Sequence, residues 1–205
     1  MAEAAPVELL LASASPARRK LLEAAGVSFR VVPANVDEAA LKRGLAADGS
    51  LRVPAAIAEG LAAAKARTAS SAYRASLVIG ADQVLALEDE PFDKPGDLVT
   101  VRAQLERLRG RAHRLFSAVA LAQEGKVVWS MVDHATLTMR NFSDGFLDAY
   151  LAEAGSRLCR IVGCYEIEGR GVQLFQRVEG DHFTIVGLPL VPLLAELRAR
   201  GVIAT

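Results

Sequence analysis

A short continuous apolar run at 77–81, Leu-Val-Ile-Gly-Ala, constrains the fold of this chain more than any other segment. A strand with one solvent-facing side alternates apolar and polar residues, whereas a strand covered on both faces is apolar throughout. The run therefore predicts a strand that is buried on both faces. We expect this strand to end at Asp82, with a further extended segment at 84–87.

The segments around this strand alternate between helix and strand patterns, and a hairpin pattern follows later. Capping residues, prolines and terminal glycines around apolar periodicities predict helices at 16–25, 54–70, 97–109, 143–155 and 187–201. Apolar runs bounded by turn residues predict strands at 9–12, 29–32, 112–122 and 126–139. Three segments are less regular: a loop with a short helix at 35–50, a charged loop at 88–96 and a strand-like stretch at 163–179.

This order of elements predicts an α/β fold with a mixed sheet. The chain has 205 residues, which suits one domain or two small lobes around a cleft. No internal repeat or linker interrupts it. We therefore expect a single domain over 1–205.

The composition excludes several classes of protein. Because 24 basic residues balance 24 acidic ones, bulk charge cannot hold a nucleic acid, and one Trp and three Tyr offer little for base stacking. The apolar runs are too short to span a membrane, and residues 1–10 lack the basic start of a signal peptide. Two cysteines make no disulfide framework. We expect a cytoplasmic protein with no nucleic-acid or membrane partner.

The turn after the first predicted strand is a candidate anion site. It carries Ser13 and Ser15, followed by Arg18 and Arg19. A helix N-terminus presents free backbone N–H groups and a partial positive charge, so hydroxyls and an arginine at this turn suit a phosphate. The alternative is a capped helix with solvated arginines, since Ser15 before a proline is a common cap.

Isolated acidic and basic residues follow along the chain. Asp82 comes where open α/β sheets place ligand-binding groups, and a carboxylate there is costly unless it is paired or coordinated. Asp37 and Glu38 can hold a hard cation such as Mg²⁺. Lys65 lies in an alanine-rich helix, and Lys94 precedes a proline. Except for Asp82, ordinary solvated side chains are the alternative.

A late segment, Glu-Ile-Glu-Gly-Arg-Gly at 166–171, places glycines beside Glu168. Glycine next to a carboxylate indicates close approach of a ligand, and tight turns between strands are the alternative. The three histidines show no metal-ligand spacing. No nucleophile elbow, Walker motif or dinucleotide motif occurs.

The order of these pieces is more specific than any one of them. In sequence they are Leu-Ala-Ser-x-Ser-Pro-x-Arg-Arg, Asp-Glu, a helical Lys-Ala, Gly-Ala-Asp-Gln-Val, Lys-Pro and Gly-Leu-Pro. Over roughly residues 9–200 the chain resembles the Maf family of nucleoside triphosphate pyrophosphatases. The resemblance implies a two-lobed mixed sheet with flanking helices around a central cleft, as in inosine-triphosphate pyrophosphatases. It also implies a homodimer.

The resemblance implies cleavage of a nucleoside triphosphate between its α and β phosphates, giving a monophosphate and pyrophosphate. By motif position, Asp82 would be the proton acceptor that activates water. Glu38 would join Asp82 at a divalent cation such as Mg²⁺ or Mn²⁺. The residues that would hold the triphosphate are Ser13, Arg18, Lys65 and Lys94.

Three positions bear on the choice of base. Family members that cleave dTTP and UTP typically carry Arg, Thr and Gln where this chain has Ala17, Gln83 and Glu168. Gln83 with Glu168 resembles the branch that cleaves 7-methyl-GTP, although that branch usually has Trp at the position of Ala17. We therefore expect 7-methyl-GTP or another modified nucleotide as substrate. A dTTP/UTP pyrophosphatase and a nucleotide-binding regulator of cell division are the alternatives.

Overall fold

The computed structural model describes residues 7–47 and 53–204. Within these ranges seven strands form one sheet: β1 Leu9–Ala12, β2 Arg30–Val31, β3 Leu77–Leu87, β4 Glu90–Phe92, β5 Ala112–Gln123, β6 Lys126–Met139 and β7 Phe175–Glu179. The helices are α1 Pro16–Ala24, α2 Glu38–Ala47, α3 Pro54–Ala72, α4 Leu98–Leu108, α5 Asp144–Ala154, α6 His182–Val186 and α7 Leu190–Ala199. Two 3-10 helices span Gly155–Arg160 and Arg170–Leu174. The expected α/β fold with a mixed sheet is confirmed.

Most predicted boundaries are confirmed to within a few residues. The expected loop at 88–96 contains the short strand β4. Helix α6 was not predicted, because one and a half helical turns are too short to show a periodic pattern. The strand-like interpretation of 163–179 is wrong before Phe175, where Gly163 and Cys164 adopt positive φ angles in turns. Our expectations for residues 1–6 and 48–50 lie outside the described residues.

Strand β3 lies at the centre of the sheet, whose order is β2-β1-β3-β5-β6-β7. On one edge β3 pairs with β5 continuously from Val78 to Ala86. On the other edge it pairs in parallel with β1 at 77–80 and antiparallel with β4 at 85–87. Among the described strands none pairs with 81–84 on that edge, so the ladder has a gap there.

Asp82 lies in this gap and not at the end of a strand. We expected β3 to stop at Asp82, but its backbone pairing to β5 continues through Asp82, which lies opposite Ala118. The parallel partner β1 does end near this point, since Ala12 pairs with Gly80. The strand that ends near this position is therefore the neighbouring β1, whereas β3 itself continues.

The two faces of β3 are covered by different helices. Val84 packs with Ile57 of α3 in one apolar cluster, whereas Ile79 packs with residues of α1 and α7 in another. The prediction of a strand buried on both faces is confirmed. Because side chains of a strand alternate between faces, Asp82 is directed to the α3 side and Gln83 to the opposite side.

Helix α3 lies against β3 at Gly80. A Cβ atom at Gly80 would be 2.3 Å from the Ala62 carbonyl oxygen and 2.5 Å from the Ala66 amide nitrogen. Both are backbone atoms, which cannot rotate away. The lack of a side chain at Gly80 therefore sets the distance between α3 and the sheet.

No described helix is long and apolar enough to span a membrane.

Replacing Gly80 by Ala should separate α3 from β3. Overpacking of this kind typically costs about 1–3 kcal/mol, which urea unfolding would measure as a lower free energy of unfolding. Gly44→Ala is the matched control, because Gly44 lies in α2 with no atom within 4 Å of an added Cβ. Alanine there should stabilise by about 0.5–1 kcal/mol. Wild-type stability of Gly80→Ala would contradict the proposed role of this contact.

Candidate active site

The centre of the site is the ammonium group of Lys65. Its Nζ lies 2.7 Å from Asp82 Oδ1 and 2.8 Å from Glu38 Oε1. The Lys65 side chain is only 12% exposed and that of Asp82 16%, while Glu38 is half exposed. A solvated role for Lys65 is therefore wrong. Helices α2 and α3 and strand β3 each contribute one charged group at this point.

The contact at Gly80 explains why Lys65 and Asp82 meet. Ala62 and Ala66 touch Gly80 and flank Lys65 on α3. Asp82 lies two residues after Gly80, hence on the same face of β3. Lys65 is one residue before Ala66 on α3, and Asp82 is two residues after Gly80 on β3. The contact between the helix and the strand at Gly80 therefore brings the ammonium and the carboxylate within hydrogen-bonding distance.

Three lysines lower the pKa of Glu38, which is the first residue of α2. Burial raises the pKa of Glu38, but the hydrogen bond from Lys65 and its charge lower the pKa. The charges of Lys94 and Lys42 act in the same direction, and the net pKa lies below its usual value. Lys94 is exposed, and its charge is near enough to Glu38 to help lower the pKa of that carboxyl.

Arg18 is fixed on the other side of the gap in β3. Its Nη1 donates to the Ala81 carbonyl at 3.0 Å and to Ser13 Oγ at 3.2 Å, and its Nε donates to the Gly187 carbonyl at 2.8 Å. Arg18 and Ser13 are both buried. Burial lowers the pKa of Arg18, and the nearby Asp82 and Glu38 carboxylates oppose this shift.

The two alternatives for the first turn are thereby separated. Ser15 caps α1, since its side chain accepts from the Arg18 amide. Arg19 is an exposed arginine paired with Glu23, as in a solvated helix. Arg18 is not solvated, and its buried guanidinium adjoins the helix N-terminus. The turn thus has the composition of an anion site.

The side chain of Gln83 lies on the opposite side of the sheet from Asp82, and its amide forms hydrogen bonds within the protein. Its Nε2 lies 2.9 Å from Ser117 Oγ, 3.0 Å from the Ile185 carbonyl and 3.2 Å from the Thr184 carbonyl. These bonds fasten α6 to β3 and β5. The specificity role expected for Gln83 stays a prediction, but its donors are engaged within the protein.

Sequence reasoning missed Ser117 and Thr184, which complete this buried network. Ser117 Oγ donates to the Thr184 carbonyl at 2.7 Å, and Thr184 Oγ1 donates to Asp133 at 2.7 Å. Both residues are fully buried. Small hydroxyl residues within a strand and a short helix carry no motif, so nothing in the sequence marked them.

Glu168 lies at the far end of α6 from Arg18. Its Oε1 is 3.7 Å from Nε2 of His182, the first residue of α6, and both side chains are exposed. Gly187, which caps the other end of this five-residue helix, accepts the bond from Arg18. About 7.5 Å of helix axis therefore separates the two contacts. Ala17 is half-buried in the first turn of α1.

The carboxylates suit a hard divalent cation. Glu38 and Asp82 converge on one ammonium, and oxygen ligands of this type are those that Mg²⁺ takes, with waters and phosphate oxygens completing the set. Within the described ranges no three His, Cys, Asp or Glu side chains gather around one point. A cation at Glu38 and Asp82 would thus need ligands from a substrate or water.

The fold and site together define an α/β protein whose cationic groups face a pair of carboxylates, an arrangement suited to a polyphosphate. Residues 8–200 match the family described as Maf-like protein. Because this match spans most of the chain, the chain belongs to the Maf family, as its motifs predicted.

Several relatives are similar over nearly their whole length. A 7-methyl-GTP pyrophosphatase of Rhizobium meliloti (strain 1021) is 46% identical over 195 residues, or 95% of this chain and 97% of that protein. A nucleoside triphosphate pyrophosphatase of Paramagnetospirillum magneticum is 50% identical over 192 residues, or 94% and 98%. A 7-methyl-GTP pyrophosphatase of Mesorhizobium japonicum is 48% identical over 196 residues, or 96% and 98%.

Proposed function

We propose that this chain hydrolyses a nucleoside triphosphate between its α and β phosphates, releasing a nucleoside monophosphate and pyrophosphate. The observation that carries the proposal is the Lys65 ammonium held between Asp82 and Glu38, with the buried Arg18 bound to the carbonyl of Ala81, the residue before Asp82. Membership of the Maf family and the names of the relatives support it. A nucleotide-binding regulator would need no carboxylate placed to activate water.

The triphosphate would lie along the cations of the site. Ser13 and Arg18 adjoin the N-terminus of α1, where backbone N–H groups and the guanidinium favour phosphate oxygens. Lys65 would exchange its carboxylate partners for phosphate. Lys94 would contact the triphosphate from its exposed loop.

Asp82 would accept the proton of the attacking water. The water oxygen would bond to the α-phosphorus, the bond to the bridging oxygen would break, and pyrophosphate would leave. Before substrate binds, the hydrogen bond from Lys65 holds the Asp82 carboxylate in place. Once Lys65 turned to phosphate, that carboxylate would be free to accept the proton. Glu38 and Asp82 would hold a divalent cation, whose chemistry is to neutralise charge on the phosphates.

The direct test is to identify the products after incubation with nucleoside triphosphates and Mg²⁺. We expect pyrophosphate and monophosphate, detected by a coupled pyrophosphate assay and by chromatography. Release of orthophosphate would refute the assignment of the cleaved bond. Full turnover after thorough chelation would refute the need for a cation.

Asp82→Asn should nearly abolish turnover while the protein stays folded and binds nucleotide. Loss of a positioned general base typically lowers the rate by about 10²–10⁴-fold. Single-turnover assays and calorimetric titration would separate the chemical step from binding. Asp144→Asn, at the start of α5, is the control and should keep its activity. A near-normal kcat for Asp82→Asn would move the role of base to Glu38.

For the base, we propose that 7-methyl-GTP or another purine triphosphate is preferred over dTTP and UTP. The Glu168 carboxylate can accept from the N1–H and exocyclic amine of guanine, and it favours the positive charge of a methylated ring. The carbonyl oxygens of uracil and thymine would instead repel it. Glu168 contacts one end of α6 and Arg18 contacts the other. This spacing suits a nucleotide whose base lies near Glu168 and whose phosphates lie near Arg18.

Glu168→Gln should reduce this preference. Because Glu168 is more than half exposed, we expect about a tenfold loss of selectivity, at the lower end of what an unpaired polar group costs. The measurement compares kcat/KM for 7-methyl-GTP, GTP, UTP and dTTP in both proteins. A wild-type preference for dTTP or UTP, or an unchanged ranking in Glu168→Gln, would show that Glu168 does not select the base.

A further inference from the structure

The loop that carries Lys94 is tied to helix α4. Lys94 lies between β4 and α4, and the Asp93 carbonyl immediately before it accepts a hydrogen bond from Gln104 Nε2 at 2.9 Å. Gln104 belongs to α4 and is half-buried. This bond fixes the backbone from which the Lys94 side chain extends.

The amide of Gln104 is itself oriented by Cys164. Cys164 Sγ donates to Gln104 Oε1 at 3.2 Å, and Cys164 is fully buried. Burial raises the pKa of the Cys164 thiol to about 12, with Cys159 adding to the effect, so the thiol keeps its proton and stays a donor. With its oxygen engaged by the thiol, the amide presents its N–H group to the loop.

Two further contacts hold the same loop. On the far side of Lys94, the Gly96 amide donates to the Cys159 carbonyl at 3.1 Å. The Asp93 side chain forms an ion pair with Lys42 of α2, the helix that begins at Glu38. Both ends of the loop are therefore anchored, and one anchor belongs to a helix that also supplies a carboxylate to the site.

We infer that Gln104 is a positioning residue for Lys94, holding the loop so that the lysine faces the phosphates of the substrate. The inference rests on the proposed function, since it takes Lys94 to be a phosphate-binding group. An exposed lysine on an untethered loop would lose conformational entropy on binding, and a fixed backbone reduces that loss. Gln104 acts only through Lys94 and touches no substrate.

The test uses two substitutions of Gln104 in the full chain. Gln104→Ala removes both bonds, whereas Gln104→Glu keeps the acceptor for Cys164 but loses the donor to Asp93. Calorimetric titration with inorganic triphosphate measures binding without any chemistry. We expect each variant to bind about three- to tenfold more weakly, the size of one lost hydrogen bond. KM should rise by a similar factor, with kcat little changed.

A double-mutant cycle with Lys94→Ala separates positioning from general damage. In the Lys94→Ala background, Gln104→Ala should weaken triphosphate binding no further, because the group that it positions is gone. Gln123→Ala, at the end of β5, is the matched control and should bind as the wild type does. Thermal unfolding of every variant shows whether the fold is kept.

The outcomes distinguish this inference from the proposed function. Equal weakening by Gln104→Ala in both backgrounds, or unchanged affinity in both Gln104 variants, would overturn the positioning role. Failure of the wild type to bind triphosphate would overturn it as well. If the triphosphate cycle behaves as expected but no pyrophosphate is released from nucleotides, the positioning role stands and the proposed reaction fails.

Discussion

The contact between Gly80 and the backbone of α3 is the constraint on which the site depends. The carbonyl of Ala62 and the amide of Ala66 approach β3 more closely than any residue with a Cβ would allow. Lys65 and Asp82 then meet because each lies a short, fixed step from that contact along a regular element. The alanine-rich sequence of α3 has the same explanation, since small side chains let a helix lie close on a sheet.

The gap in the pairing of β3 leaves the Ala81 carbonyl without a partner among the described strands on that edge. A backbone carbonyl without a strand partner must be satisfied in another way when it is buried. At Ala81 the partner is the Arg18 guanidinium, which also binds the carbonyl of Gly187. A cation is thereby held by backbone groups from two distant parts of the chain, next to Asp82, and none of the carboxylates that the structure describes forms an ion pair with it.

Under the proposed function, a polyphosphate would replace the internal partners of the charged groups in the site. Lys65 is neutralised by two carboxylates, and the pKa of Glu38 is lowered mainly through that lysine. Under the proposed function, phosphate oxygens would take over Lys65 and leave Asp82 free to receive a proton. The cations differ in how they are held. Arg18 is held by direct bonds to its guanidinium, whereas the bond from Gln104 holds the backbone of the loop that carries Lys94.

The sequence by itself determined the class of fold and the family, because capping, apolar runs and motif order depend on neighbours along the chain. For the same reason it marked Ser13, Arg18, Glu38, Lys65 and Asp82 as candidate site residues. It could not show that β3 continues past Asp82, since that depends on pairing with β5, some 35 residues away. Nor could it show that Gln83 fastens α6 or that Gln104 supports Lys94. Those roles were decided only by the tertiary structure, because they arise from the face that a strand presents and from contacts between residues that are remote in sequence.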